Sequence, residues 1–270
     1  MTLHDKRAHG VTPGLNRNYV DRTADKQAAF VMPYLRPRMN LLDIGCGPGT
    51  ITLGLAQAVA PGHVTGIDHD EEHIKTAKTL AEYRGVTNVT FRNGDALSLP
   101  FENDTFDAAY ENNVFTHLAD GAARAAVESY RVLKPGGILA ARDVEAESVV
   151  WGNSNDSIKQ LDKLMIAWHR NRGSDITLGK QLPAILRKAG FINLIKSVSA
   201  DTKGTPEAVQ NHAKITMELL NGPFGRDIVN NGWADRATVE QLKKAIRKWG
   251  EHPDAFFGNI HVEVIGWKSE

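Results

Sequence analysis

From residue 39 onward, short apolar runs alternate with polar turns and with stretches whose apolar residues recur at three- and four-residue steps. That rhythm predicts a parallel sheet covered by helices on both faces. Residues 39–44 predict the first strand, and Ile51, Leu55 and Val59 form one stripe of a helix that Pro61-Gly62 stops. Residues 63–68 predict the second strand. The helix after it opens on Asp70-Glu71-Glu72, acids suited to the positive end of a helix dipole, and closes at Gly85, which tolerates a left-handed cap. Strands at 88–92, 106–110 and 138–143 follow, with a helix at 120–133 and a turn at Lys134-Pro135-Gly136-Gly137 before the last of them. Leu178, Leu182 and Ile185 mark a further helix ending at Gly190, and residues 191–199 and 259–267 bring the count to seven strands.

Two stretches interrupt the alternation. Residues 149–173 carry Ile158, Leu161, Met165 and Trp168 at helical spacing. Residues 204–257 open with Thr205-Pro206-Glu207, an N-cap, a first-position proline and a first-turn acid, and later place Leu242, Ile246 and Trp249 at four- and three-residue steps. Long insertions in a compact domain usually act as lids or binding elements; extra core, or the interface of a homo-oligomer, accounts for them equally. The expected organisation is a single domain over 1–270, with 1–37 as an N-terminal cap segment and 149–173 and 204–257 as substrate-lid insertions.

Composition narrows the partners. The 32 Lys and Arg balance 32 Asp and Glu, so no global field attracts a polyanion, which argues against nucleic acid. No segment reaches the roughly 18 uncharged apolar residues of a membrane span, and residues 1–6 lack a signal-peptide apolar core, so the expected location is cytoplasmic. Cys46 is the single cysteine, which excludes an internal disulfide and a thiolate metal cluster; it reads as a small residue packed inside a turn. No cluster of His, Asp and Glu suggests a metal site.

The chemistry concentrates on the turn Asp43-Ile44-Gly45-Cys46-Gly47-Pro48-Gly49, between the first strand and a helix expected to begin near Thr50. Glycines let the backbone approach a ligand and take positive φ, and the helix N-terminus presents unpaired amides. A nicotinamide-dinucleotide turn would need glycine at position 50, which is Thr50. Asp68 ends the next strand, where a carboxylate can accept from both hydroxyls of a ribose; capping the following helix is its other use, for which Asp70 competes. Gly94-Asp95-Ala96 follows the third strand and puts another acid on the same sheet edge, where it can meet an adenine amino group or simply make a turn.

Leu41-Leu42-Asp43-Ile44-Gly45-Cys46-Gly47-Pro48-Gly49-Thr50, Gly66-Ile67-Asp68, Gly94-Asp95-Ala96, Phe106-Asp107-Ala108 and Arg131-Val132-Leu133-Lys134-Pro135-Gly136-Gly137 resemble, in order, the motifs of class I S-adenosylmethionine-dependent methyltransferases. The likeness spans roughly residues 38–145 and is greatest to the small-molecule enzymes that include those of ubiquinone and menaquinone biosynthesis. It implies a Rossmann-like α/β sheet of six parallel strands with the seventh antiparallel, helices on both faces and added lid helices. It implies further that Gly45, Gly47 and Gly49 line the methionine and ribose portion of the cofactor, that Asp68 holds the ribose, and that Asp95 and Ala96 meet the adenine. Asp43 would brace the loop and face the amino end of the methionine, and Asn112 would offer its carbonyl to the amino group. The methyl group would then lie near Asn112, Asn113 and His117.

Methyl transfer is an in-line displacement at an already activated carbon, so positioning and exclusion of water dominate and a base is optional. For a hydroxyl, phenol or acidic carbon, His117 is the candidate base; it would equally cap or pack at a helix start. His69 reads as an adenine or ribose wall. Asp143 and Glu145 end the fifth strand, where ligands bind in open α/β sheets, or they pair with neighbouring helices. Tyr19 and Arg22 belong to a segment that can fold over the cofactor, with the guanidinium suited to the methionine carboxylate or to a neighbouring acid. Trp151, Trp168, Phe224, Trp233, Phe256 and Phe257 fall in or beside the insertions, which suits a partly apolar small-molecule acceptor as well as plain core packing. The leading expectation is methyl transfer to an oxygen, nitrogen or carbon atom of that acceptor. Its rivals are a cyclisation, rearrangement or elimination on the same fold, and a cofactor-sensing binding module. Tyr110-Glu111-Asn112-Asn113 is not a base-flipping motif.

Overall fold

The computed structural model describes residues 22–270. Among them eight strands build one sheet: β1 Asn40–Ile44, β2 His63–Asp68, β3 Val89–Asn93, β4 Phe106–Asn112, β5 Leu133–Val144, β6 Val150–Gly152, β7 Ile192–Lys203 and β8 Phe256–Trp267. The helices are α1 Ala24–Gln27, α2 Thr52–Val59, α3 Glu71–Arg84, α4 Phe115–Leu118, α5 Ala122–Val132, α6 Asp156–Asn171, α7 Leu182–Lys188, α8 Pro206–Asn221, α9 Pro223–Asn230 and α10 Arg236–Gly250.

The strand order is β3-β2-β1-β4-β5-β8, with parallel pairing from β3 through β5 and antiparallel pairing of β5 with β8. β7 runs antiparallel along the other edge of β8. Chain order reverses at β1, whose neighbours are β2 on one side and β4 on the other, so a crevice opens beyond the carboxyl ends of β1 and β4. The expected glycine-rich turn leaves β1 at that crevice.

The central strands are buried on both faces, with apolar runs such as Leu41-Leu42 and residues 138–141 facing the helices on either side. On one face Leu42, Ile44, Leu139 and Ala141 pack with Phe115, Ala126 and Leu182 from the helices. On the other, Leu41, Tyr110, Ile138 and Ala140 pack with Ala28, Leu55 and Val59. Helix ends follow their sequence signals. The Asp70 carboxylate accepts from the Glu72 amide at 2.8 Å, and Gly85 closes α3 with φ of +66°.

The sheet departs from expectation at two places. The count of seven becomes eight, because Val150–Gly152 pairs antiparallel with Phe256–Gly258 and extends the edge of β8 that β5 occupies further along. That segment had read as the start of a helical insertion, and a three-residue strand leaves too short an alternation to be seen. Lys134-Pro135-Gly136-Gly137 is also no free turn. It lies within β5, where partners jump from Phe106↔Leu133 to Ala108↔Ile138 and Gly136 takes φ of +76°, so the turn is absorbed as a bulge.

The two insertions meet. Ile158 and Leu161 from α6, Val209 and Leu220 from α8, Ile228 from α9 and Trp249 from α10 form a third core, separate from the two that sandwich the sheet. Trp249 is its largest fully buried side chain, and its indole N–H donates to the Gly152 carbonyl at 2.8 Å, tying the helical cap to β6. Trp249→Ala is therefore expected to lower stability by about 3–5 kcal/mol, through a cavity and an orphaned carbonyl. Urea unfolding monitored by circular dichroism would measure it, and a loss under about 1 kcal/mol would show that the cap does not depend on this anchor.

Candidate active site

The turn after β1 takes left-handed backbone at all three glycines, with φ of +68° at Gly45, +52° at Gly47 and +81° at Gly49. Their surroundings differ. A Cβ on Gly45 would run into the Val114 side chain, and Gly45 and Gly47 both line the main cavity. Gly49 lines no cavity described here; a Cβ there would press on the Phe91 ring and on Ala77, so this glycine serves close packing of the turn against β3 and α3.

Below the turn, Asp43 is buried and accepts a 2.6 Å hydrogen bond from the Thr52 hydroxyl at the start of α2. Burial raises its carboxyl to about 7, the Thr52 bond opposing this and the Asp68 charge adding to it. Asp43 faces a small side cavity shared with Arg22, Gly45, Tyr110 and Asn112. At the end of β2, the Asp68 carboxylate accepts from the Gly47 amide and from the Asp70 amide, each at 2.9 Å. Those bonds hold the turn in shape and leave lone pairs to spare on both oxygens. His69 is almost wholly exposed beside it, and Asp95 and Ala96 complete the rim from the loop after β3. Asp95 already accepts from the Leu97 amide at 2.8 Å. Tyr19 lies outside the described residues. Arg22 lines both cavities.

Beyond β4, Asn113 takes φ of +58° and accepts from the Val144 amide at 3.0 Å, which turns the chain across the top of β5 into α4. His117 sits on α4 at the cavity wall. Partial burial, then the Arg22 charge, hold its pKa below the ordinary histidine value, so it is neutral near pH 7. Glu111 and Asp143 lie side by side under this loop with no exposure. Glu111 accepts from the Val114 amide at 3.0 Å and the Arg142 amide at 3.1 Å, and Asp143 accepts from the Thr116 amide at 3.0 Å. Burial, then the Asp143 charge, push the Glu111 carboxyl far above its usual range, so it keeps a proton.

The sequence leaves Asp143 and Glu145 either facing a ligand or pairing with neighbouring helices, and the structure shows the second. Strand alternation instead turns Val144 and Ala146 to the cavity. Asp143 braces α4, while Glu145 accepts from the Glu147 and Lys180 amides and pairs with the Lys180 ammonium at 3.6 Å. The cysteine reading holds: Cys46 is buried and burial raises its thiol well above the usual range, so it is no nucleophile.

Three functional groups escaped the sequence. Arg142, only 1% exposed, donates to the Asn112 side-chain oxygen at 2.9 Å, to Asp201 at 2.9 Å and to the Ser199 hydroxyl at 3.2 Å. Its signal was a lone cation within the apolar run of β5. His261 on β8 lines the cavity with its Nε2 3.5 Å from the Asn113 amide nitrogen and 3.9 Å from Asp201; burial, then the Arg142 charge, lower it to about 4. The third is Asp162 on α6. Both its carboxylate oxygens face the Trp151 indole N–H, at 3.1 and 3.0 Å, and burial raises it to about 6, the indole bond opposing.

One continuous cavity of about 1060 Å³ joins these parts, at the upper end of the roughly 300–1,000 Å³ usual for a ligand pocket. Its first half is the sheet edge of Gly45, Gly47, Asp68, Asp95 and Asn112. Its second half lies under the insertion helices, between Leu161 and Met165 of α6, Ile215 and Leu219 of α8, and the rings of Trp151 and Phe257. Asn113, His117 and His261 stand where the halves meet. Of the aromatic set from the insertions, Trp151 and Phe257 line the cavity, whereas Trp168, Phe224, Trp233 and Phe256 do not. Phe224 is core, and the Trp168 indole donates to Asp227 at 2.8 Å.

Known proteins similar to this chain include methyltransferases. The sequence profile of the methyltransferase domain matches residues 35–190. A probable methyltransferase of Aspergillus luteorubrus, ltbC, is 30% identical over 270 residues, covering 92% of each chain. The demethylmenaquinone methyltransferase of Listeria welshimeri is 33% identical over 111 residues, 41% of this chain and 47% of that enzyme. The solved YcgJ protein of Bacillus subtilis shares the fold with a TM-score of 0.60 at 20% identity, covering 90% of this chain and 98% of that one. With a profile match over more than half its length and a relative matched almost end to end, the chain belongs to the methyltransferase domain family and is an S-adenosylmethionine-dependent methyltransferase.

Proposed function

We propose that this enzyme methylates a small, partly apolar acceptor that lies in the half of the cavity under the insertion helices. The observation that carries the reading is the continuity of that half, lined by Trp151, Phe257, Met165 and Leu219, with the glycine turn and the Asp68 edge. Residues 149–173 and 204–257 act in this reading as the substrate lid of a single domain. The acceptor is a small molecule rather than nucleic acid, in keeping with the balanced charge, and the enzyme works in the cytoplasm. Among the described residues no helix is long and apolar enough to cross a membrane.

The residues present suit the methyl donor. Gly45 and Gly47 take positive φ and line the cavity without side chains, and Asp68 keeps acceptor capacity beyond its two amide bonds. In this assignment Gly45 and Gly47 hold the methionine and ribose portion, Asp68 the ribose, and Asp95, Ala96 and His69 the adenine end. Asp43 and the Asn112 carbonyl serve the amino group, and Arg22 the carboxylate. When bound, S-adenosylmethionine supplies a methyl carbon already activated by its sulfonium. The chain's own part is to align the acceptor against that carbon, shut out water beneath α6 and α8, and take up a proton where the acceptor has one to lose. His117 serves as that base in its neutral form.

Asp68→Ala should weaken donor binding roughly 10–100-fold by losing charged hydrogen bonds, and Gly47→Val should do so by blocking the cradle. Calorimetry giving wild-type affinity in both folded variants would overturn the assignment. Asp43 sets a pH dependence. Its carboxyl, held at about 7 in the free protein, falls when a cationic amino group arrives, so binding releases a proton below pH 7. Donor affinity should therefore drop up to about tenfold per pH unit as pH falls below 7, and Asp43→Asn should flatten that profile. A wild-type profile already flat between pH 5 and 8 would refute the pairing. Incubation with isotopically labelled methyl donor tests the reaction itself. Label must appear in the product, and unlabelled product would instead assign a cyclisation, rearrangement or elimination. His117→Ala should keep donor affinity and slow turnover at least tenfold. An unchanged rate would remove His117 from the mechanism.

A further inference from the structure

We propose that Asp162 is the anchor that selects the acceptor, and that the acceptor is an aromatic ring bearing a hydrogen-bond donor, a hydroxyl or an ammonium. The inference rests on the reading that the half-cavity under the insertion helices holds the acceptor.

The geometry is that of an acceptor group left underfilled inside an aromatic chamber. An ionised carboxylate has about four lone-pair positions. Among the described residues only the Trp151 indole N–H bonds Asp162, as one donor shared between the two oxygens. Among the described residues no ion pair holds it, and it lies on the wall of a cavity that Leu161, Met165, Ile215 and Leu219 also line. A half-buried carboxylate with open positions on a cavity wall is placed to take a hydrogen bond from a ligand that displaces the water there.

Flat walls specify the rest of the ligand. The His212 ring stacks on Phe257 with centroids 4.3 Å apart at 20°, and Trp151 meets Phe257 edge-on at 4.6 Å and His212 at 5.4 Å. All three rings line the cavity, next to the Met165 thioether. Burial, then the Lys203 charge, hold His212 at about 4, so it is a neutral ring here and adds no positive charge to repel an ammonium. Rings and a thioether favour a flat aromatic guest over a flexible chain. The indole that supports Asp162 is itself one of those rings, so ring packing and polar anchoring are fixed relative to each other. The acceptor's donor group would be placed by Asp162, and the remainder of its ring system would extend toward Asn113 and His117.

Three probes of one shape test this: 1-naphthol, 1-naphthylmethylammonium and 1-methylnaphthalene, titrated into the full chain by calorimetry and by following the Trp151 indole N–H resonance, assigned through its loss in Trp151→Phe. At least one donor-bearing probe should bind about tenfold more tightly than 1-methylnaphthalene and shift that resonance, and in Asp162→Asn its lead should shrink to about threefold or less. Whichever of naphthol and ammonium leads identifies the donor. If Asp162→Asn fails to fold, judged by its melting transition, the wild-type ranking and the indole shift still decide. Equal binding of all three probes with a shifted resonance would overturn the anchor and leave the acceptor chamber standing. Absence of binding, or binding that leaves the Trp151 resonance unmoved, would overturn both.

Discussion

The geometry of the active site hangs on two carboxyl groups buried without a counter-cation between them. Glu111 at the end of β4 and Asp143 at the end of β5 receive the amides of Val114, Arg142 and Thr116, and so stitch the chain after β4 onto the neighbouring strand. Two full charges in that position would repel strongly at low dielectric, and retention of a proton on Glu111 relieves this. The arrangement is a carboxyl clamp held by backbone amides rather than an ion pair. Its product is the fixed placement of Asn112, Asn113 and His117 on the cavity wall beyond β4.

A second layer of polar order lies beside that clamp. Arg142 spans from Asn112 to Ser199 and Asp201, and so links β4, β5 and β7 across the top of the sheet. A buried guanidinium is tolerated only when its donors are filled, and here each of its three nitrogens has an oxygen partner. Asp201 also stands 3.9 Å from His261, which puts the antiparallel strand β8 in contact with the same group of residues. The cavity floor is thus rigid polar scaffolding, whereas its roof is apolar and helical.

Much of this was legible in the sequence, and the reasons for success and failure are physical. The sheet from β1 to β5 was readable because each strand is a short apolar run closed by turn residues, and Gly85 and Asp70 cap α3 as their chemistry requires. That Gly45, Gly47, Asp68 and Asp95 share one sheet edge was readable because glycine spacing and strand-end acids are local features. Gly49 shows the limit of that reading: its backbone is as strained as that of Gly45, but it faces Phe91 and Ala77, a contact made by chain distant in sequence. The two uses that the sequence left open for Asp143 and Glu145 needed the fold to separate them, because a one-residue step along a strand reverses the face and the bulge early in β5 hides the register. Arg142, Asp162 and His261 were missed because their partners come from β7, β6 and the loop after β4, and no single-chain pattern announces a contact between segments 11 to 148 residues apart.

The third hydrophobic core bears on how such an enzyme diversifies. The insertion helices over the cavity are stabilised mainly by one another, through Leu161, Val209, Ile228, Leu242 and Trp249, and not by the layers that hold the sheet. Substitutions within that roof and substitutions around the glycine turn share few partners, so their energetic effects should combine almost independently. A lineage can then exchange the residues that choose a substrate, or borrow a differently shaped roof, while the seat of the methyl donor stays under separate selection. Breadth of chemistry in such a fold comes from this partition of stability.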